Sequence, residues 1–376
     1  MRRRRCYIPA PLFTKPIKKV ENKPMHLIDS IRSRAARVTM AAAATAALGV
    51  GVAACGSDSS GSSDSTGPQS GEVALVGYST PTDAYETVLQ PGFQGTEDGA
   101  DVTFTNSFGA SGDQSRAVEA GQPADIVHFA LGPDVERLVD AGLVDDDWDD
   151  GEYKGTYQES VVAFTVRGGN PKNIKSWDDL IRDDVDVLVP NPFTSGGARW
   201  DIMAAYGQAI EEGASEDEAL EFTKKLLENV TTQDASASDA LETFTSGEGD
   251  VLISYESEAL RAQDAGEDVD YVIPDSTIKI ETKGAVLNDE SAQNPGAAKA
   301  FEDYLLSPEG QQGFADEGFR PVDPDVLKEN EDKFPIPKNL FTIDDLGGWD
   351  QVTDEFFGED DGKITQIEQD LGVPTA

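Results

Sequence analysis

The stretch Pro190–Trp200 reads PNPFTSGGARW. It sets a hydroxyl, Ser195, and two glycines, Gly196 and Gly197, between an apolar run, Val185–Val189, and a helix-like run, Ala198–Ile210. This is the wiring of an anion cradle. Glycines let the backbone come close to a ligand, and the first N–H groups of a helix have no partner inside it. Those groups and the helix dipole favour a bound oxyanion. A second stretch, Ser107–Gln114, reads SFGASGDQ and is likewise small, Gly-rich and followed by a helical run. Two cradles in one chain are expected to close on one small anion.

The N-terminal part reads as a targeting segment. Arg32, Arg34 and Arg37 precede an Ala/Gly/Val-rich run, Val38–Ala54, that ends in VAAC at Cys55. A basic region, a short apolar region and small residues at the cut define a signal peptide over 1–54. Met25 gives it a more usual length than Met1, so 1–24 can be an upstream start. The apolar run falls short of the ~20 residues of a membrane helix. A Ser/Gly/Asp tract from Gly56 to Ser70 has no core residues and reads as a flexible tether over 55–71. The chain's two cysteines, Cys6 and Cys55, leave no pair for a disulfide in the exported part, so a large core must hold it together.

Of 30 basic and 71 acidic residues, 11 and two respectively lie at or before Cys55. That leaves 19 basic and 69 acidic residues, a net −50. Nucleic acid would be repelled by such a surface and is excluded as a partner. Long-range steering also opposes anion capture at low salt. An anion site here must therefore act through local dipoles, and the surface charge reads as solubility in a salty setting.

From Glu72 onward, strand-like runs alternate with helix-like runs: 73–78, 102–105, 125–129, 161–167 and 250–255 against 114–120, 133–141 and 215–228. Ser215 and Glu218 fit a capping box. The alternation predicts an α/β architecture with mostly parallel sheets. The expected division is a first lobe over 72–160, a second over 161–256, a return to the first over 257–320, and a tail over 321–376 packing on the outside. Asp270–Pro274 is the strand expected to carry the return.

The order of several long runs resembles the sulfate-binding receptors of ABC-type importers, within the two-lobed periplasmic-binding-protein superfamily (type II fold, hinge between lobes). The runs are SFGASGDQ, VRGGNPKNIKSWDDL from Val166, PNPFTSGGARW, GDVLISYESEAL from Gly249, SPEGQQ from Ser307, FRPVDPDV from Phe319 and LFTIDDLGGW from Leu340. The resemblance implies a dehydrated sulfate held between lobes by neutral donors. Ser111 would give a backbone N–H, Ser195 a hydroxyl, Gly196 and Gly197 N–H groups, and Ala237 a further N–H at a third helix start. Ser79 stands where an Asp is common, Ser238 where an Arg is common, and Tyr255 where an indole donor is common; Ser79 and Tyr255 belong to the expected site. Cys55 directly after Ala-Ala looks like a lipobox. It implies a lipidated cysteine and anchorage to the outer face of the bacterial membrane, with permease subunits as partners.

A site built only of donors suits sulfate, which carries no proton near neutrality, and mismatches a protonated phosphate. Asp113 is a candidate acceptor, but its place in a first turn makes it a dipole partner. Arg116 and Arg199 are expected in surface or supporting roles, Trp200 in the core, and Tyr78 and Tyr85 in the cleft wall or core. Asp145–Asp150 reads as a solvated loop rather than a calcium site. No metal-ligand cluster or GxSxG motif appears, and His128 is expected to be packed or cleft-lining rather than a base, so neither an enzyme nor a cofactor is expected. The alternatives are a receptor for thiosulfate, molybdate or phosphate, and a non-transport surface protein on the same fold.

Overall fold

A computed structural model describes residues 69–375; the signal segment, Cys55 and the tether up to 68 lie outside the described residues. Strand β1 (Ser70–Tyr78) takes in the last two residues of the expected tether. It pairs in parallel with β2 (Asp101–Gly109) and β3 (Ile126–Phe129). These three strands are the sheet of the first lobe. In the second, β5 (Val187–Leu188) lies parallel to β6 (Val230–Thr232) and β7 (Val251–Tyr255). The expected strand Val185–Val189 is thus only two residues long. Pro190, which has no N–H for a ladder, stands just beyond it.

Two long strands join the lobes. β4 (Thr156–Arg167) pairs antiparallel with β7, and β9 (Ser276–Val286) pairs antiparallel with both β4 and β3. The sheets are therefore mixed: parallel on the outer strands, antiparallel at the crossing. An outgoing and a returning connection lying side by side must run in opposite directions. The return also comes one strand later than expected. β8 (Val269–Val272) still pairs with Phe164–Arg167 of β4, and β9 carries the chain back to β3. Four residues of strand reach only ~13 Å, whereas the 11 residues of β9 reach ~36 Å.

Each lobe has its own core. Leu75, Phe93, Ile126 and Phe301 lie in one cluster of the first, and Phe164, Trp200, Met203 and Ile253 in the cluster of the second. The tail packs mainly on the second lobe: β10 (Asn339–Phe341) pairs with β9, and Val352, Phe356 and Ile364 enter that lobe's core. Trp349 stacks edge-on against Trp200 at 4.6 Å. Tyr78, Ala130 and Leu131 of the first lobe join the same cluster, which marks the seam between lobes.

Five helices position the cleft. They are α1 (Ser111–Glu119) after β2, α2 (Gly132–Asp140) after β3, α3 (Gly196–Glu211) after β5, α4 (Ala237–Thr245) after β6, and α5 (Glu256–Asp264) after β7. Each begins one to eight residues after its strand ends, so the helix starts gather along one rim, the usual place for ligands in α/β sheets.

Candidate anion-binding cleft

Three of those helix starts surround one small cavity. Ser111 opens α1, Gly196 opens α3 behind its cap Ser195, and Ala237 opens α4 behind its cap Ser236. The Ser195 hydroxyl accepts from Ala198 N at 3.4 Å, and the Ser236 hydroxyl accepts from Asp239 N at 3.2 Å. The lining includes Ser79, Thr80, Ser111, Ser195, Gly197, Ser236 and Ala237. Among the described residues no charged side chain lines it. The positive ends of three helices are thus the favourable electrostatics available to a guest there.

Of the seven expected site residues, Ser79, Ser111, Ser195, Gly197 and Ala237 line the cavity. The other two stand behind it. Gly196 backs onto the first lobe, where a Cβ would meet Leu131 Cδ2 at 2.8 Å. A larger residue there would have to displace the Leu131 side chain and press on Ala130 Cβ. Tyr255 stands behind Gly197, its hydroxyl 3.5 Å from where a Gly197 Cβ would be. The lobes touch across the cleft: Gly112 N donates to Thr194 O at 3.2 Å, and the Trp200 indole donates to Ala130 O at 2.8 Å. The cleft is shut in this structure.

The first-lobe wall is fully wired. The Ser111 hydroxyl donates to Asp134 Oδ2 at 2.6 Å and accepts from Ala130 N at 3.0 Å. Asp134, buried in the first turn of α2, also accepts from Arg137 at 3.1 Å. Ser111 therefore has no hydroxyl proton left for a guest and can offer only its main-chain N–H. The second-lobe wall is looser. The Tyr255 hydroxyl is buried and finds no hydrogen-bond partner among the described residues. Behind it lie two buried carboxyls, Asp201 of α3 and Glu258 of α5, each with one oxygen equally unpartnered. Burial, reinforced by Glu258, holds the Asp201 carboxyl well above its usual range. Burial pushes Glu258 up to about 7, against the pull of Arg261 and a hydrogen bond from Thr80 at 3.2 Å. Below that pH the Glu258 carboxyl is neutral and exerts no repulsion on an anion in the cleft.

The tempting cations are occupied. Arg116 pairs with Asp113 at 2.5 Å on the surface, which also removes Asp113 as an acceptor in the cleft. Arg199 donates to Pro192 O at 2.9 Å and lies over the Phe357 ring. Tyr78 lines the cavity, whereas Tyr85 is core and donates to His128 Nδ1 at 2.8 Å. The other ring nitrogen of His128 faces Thr282, and burial lowers its pKa to about 3. Thr282 already donates to Gln158 O, so His128 is a neutral imidazole with its proton on Nε2. Asp145–Asp147, Asp149 and Asp150 are exposed, and no group able to hold a metal ion occurs among the described residues. Two wider surface grooves run past Trp148. Carboxylates crowd both, so neither suits an oxyanion.

The residues missed in the sequence are Thr80, Ser236, Asp134, Asp201 and Glu258. Ser236 had a signal, the Ser-x-x-Asp spacing to Asp239 of a helix cap. The three carboxylates had none, because each acquires its role from an element distant in the chain.

An α/β chain of two lobes with a shut, uncharged cleft between them has the form of an extracytoplasmic solute receptor. Accordingly, the chain belongs to the bacterial extracellular solute-binding proteins, whose family profile matches residues 74–320, and within them to the sulfate-binding proteins. It is 40% identical to the sulfate-binding protein of Synechococcus elongatus over 341 residues, 88% of this chain and 95% of that one. The structure matches that of the sulfate-binding protein SubI from Mycobacterium tuberculosis with a TM-score of 0.72 and 44% identity, over 75% of this chain and 97% of the other. A thiosulfate-binding protein of Escherichia coli is 36% identical over 72% of this chain and 83% of its own length.

Proposed function

We propose that this chain captures sulfate in the interlobe cleft outside the cytoplasmic membrane and hands it to an ABC importer. One observation carries the reading: three helix starts converge on a small cavity with no charged side chain in its lining. A dianion without protons satisfies a shell of donors and leaves none facing another donor. The N–H groups of Ser111, Gly196, Gly197 and Ala237, with the hydroxyls of Ser195 and Tyr255, supply that shell, and Ser79 lines it. Hinge movement about β4 and β9 opens the shell, and closing completes it while excluding water. The Gly112–Thr194 contact is the main-chain latch of the closed form. Calorimetric titration with sulfate, thiosulfate, molybdate and phosphate tests this. Sulfate is expected to bind at one site and tightest of the four. A chain that gives no heat with sulfate, or prefers another of the four, refutes it.

The finer localisation is part of the same proposal. Cys55, after cleavage of 1–54, carries lipid and holds the receptor at the membrane by the tether. Cys55→Ala is expected to send the protein into the medium in a form that still binds sulfate; a variant that stays with the membrane removes the anchor.

A further inference from the structure

A shell of donors works only if the carbonyls of the same residues face elsewhere. Each peptide carries a dipole of about 3.5 D, and its oxygen end aimed at a dianion would undo what an N–H gains. The cavity meets this demand residue by residue. Ser79 O accepts from Thr82 N and Oγ1, Ala110 O from Gln114 N, and Ser236 O from Ala240 N. Those donors are close neighbours in the chain. Two carbonyls are held from a distance instead. Ala130 O accepts from the Trp200 indole, and Thr80 O accepts from the Arg261 guanidinium of α5, 181 residues away. All five carbonyls belong to lining residues, and none of these donors lines the cavity.

Thr80 is the lining residue for which this matters most. Pro81 follows it, so the peptide between them has no N–H and can show an anion only its oxygen. Arg261 grips that oxygen with one nitrogen of its fork, while the other pairs with Asp83 at 2.9 Å. Glu258, one turn earlier on the same helix, accepts from the Thr80 hydroxyl at 3.2 Å. Helix α5 thus holds buried Thr80 by its hydroxyl and its carbonyl. We infer that Arg261 is a positioning residue of the anion cleft: it keeps the Thr80 carbonyl turned away from the guest, acting as a forked donor and not as a cation that draws the anion in. This rests on the sulfate reading above and names a group outside the lining on which that site depends. The charge of Arg261 is already engaged, since Asp83 pairs with it. A lysine has the charge without the planar fork, so it cannot hold Thr80 O and Asp83 in the same geometry.

The test is a calorimetric titration with sulfate on the purified chain and on Arg261→Met and Arg261→Lys, at about pH 6, below the value to which burial raises Glu258. Each protein is titrated at low salt and at about 0.5 M salt, where long-range attraction is screened. Thermal melts establish that the variants are folded. Arg261→Met is expected to lose affinity by about tenfold or more at both salt levels, and Arg261→Lys by about threefold or more at both. A loss that disappears at high salt overturns the inference, because it marks a long-range charge effect. So does a lysine variant that binds as the parent does, and this arm decides the matter should Arg261→Met fail to fold. Both of these outcomes leave the sulfate reading standing. Failure of the parent to bind sulfate refutes that reading instead; the variants are then titrated with whichever of thiosulfate, molybdate or phosphate the parent binds, and the same outcomes decide the role of Arg261.

Discussion

The two walls of the cleft are built on opposite plans. In the first lobe, the Ser111 hydroxyl is spent on Asp134 and Ala130 N, and Asp134 is spent on Ser111 and Arg137. The Ser111 hydroxyl there cannot turn toward a guest. In the second lobe, Ser195 accepts one long bond and keeps its proton, and the Tyr255 hydroxyl has no partner among the described residues. The first wall sets a position and the second adapts to whatever arrives. Rigidity in one wall and freedom in the other means that binding and stability should respond differently to the same kind of substitution.

The largest effect should come from filling the space that both walls share. Gly197 has an ordinary helical backbone, and a Cβ there would meet only loose contacts with Ser195 and Tyr255. Gly197→Val is therefore expected to fold and to lose sulfate affinity by about a thousandfold. That is ~4 kcal/mol, combining overpacking with a lost charged hydrogen bond. Calorimetry on a variant of unchanged melting temperature checks it; near-native affinity would place the guest elsewhere.

The adaptable wall also bears a stability cost that varies with pH. Glu258 has a usual value of 4.5 and is raised to about 7 in the folded protein. The folded state therefore holds a proton that the unfolded chain releases. Stability is complete below about pH 4.5, falls as pH rises, and levels off above about 7, a loss of about 3 kcal/mol. Glu258→Gln should flatten that slope and leave a protein more stable than the parent at pH 8. Parallel denaturant curves at pH 5 and 8 measure it, and an unchanged slope would show that Glu258 is ionised in the fold.

The smallest effects separate the walls most directly. Ser111→Ala strands the Asp134 carboxylate and should cost about 1–3 kcal/mol of stability. Ser195→Ala should cost at most ~1 kcal/mol as a lost helix cap, but weaken sulfate about tenfold or more. Melting curves and titrations on both variants make the comparison. Equal losses of stability would end the distinction between a fixed and an adaptable wall.

Much of this was legible in the residues because the signals are local. Ser215 and Glu218 form the expected capping box, and the Ser-Gly-Gly stretch opens the helix Gly196–Glu211, with Ser195 as its cap. The cradle residues could be read because a helix start is set by its neighbours in sequence. What could not be read depends on partners far along the chain. Asp201 and Glu258 look like ordinary helix-surface acids until α3 and α5 are packed behind Tyr255. Asp134 lies 23 residues from the serine it serves. The return is carried by β9 rather than by the stretch Asp270–Pro274, because strand character alone does not say which strand is long enough to span the lobes.

The indole of Trp200 bridges the seam to Ala130 O and stands against Trp349. Its surroundings must change when the jaws part, since water then reaches its N–H. The molecule thus contains its own optical gauge: emission should shift to the red in the empty, gaping form and return to the blue as cargo is loaded. No dye or tag is needed to follow loading in real time.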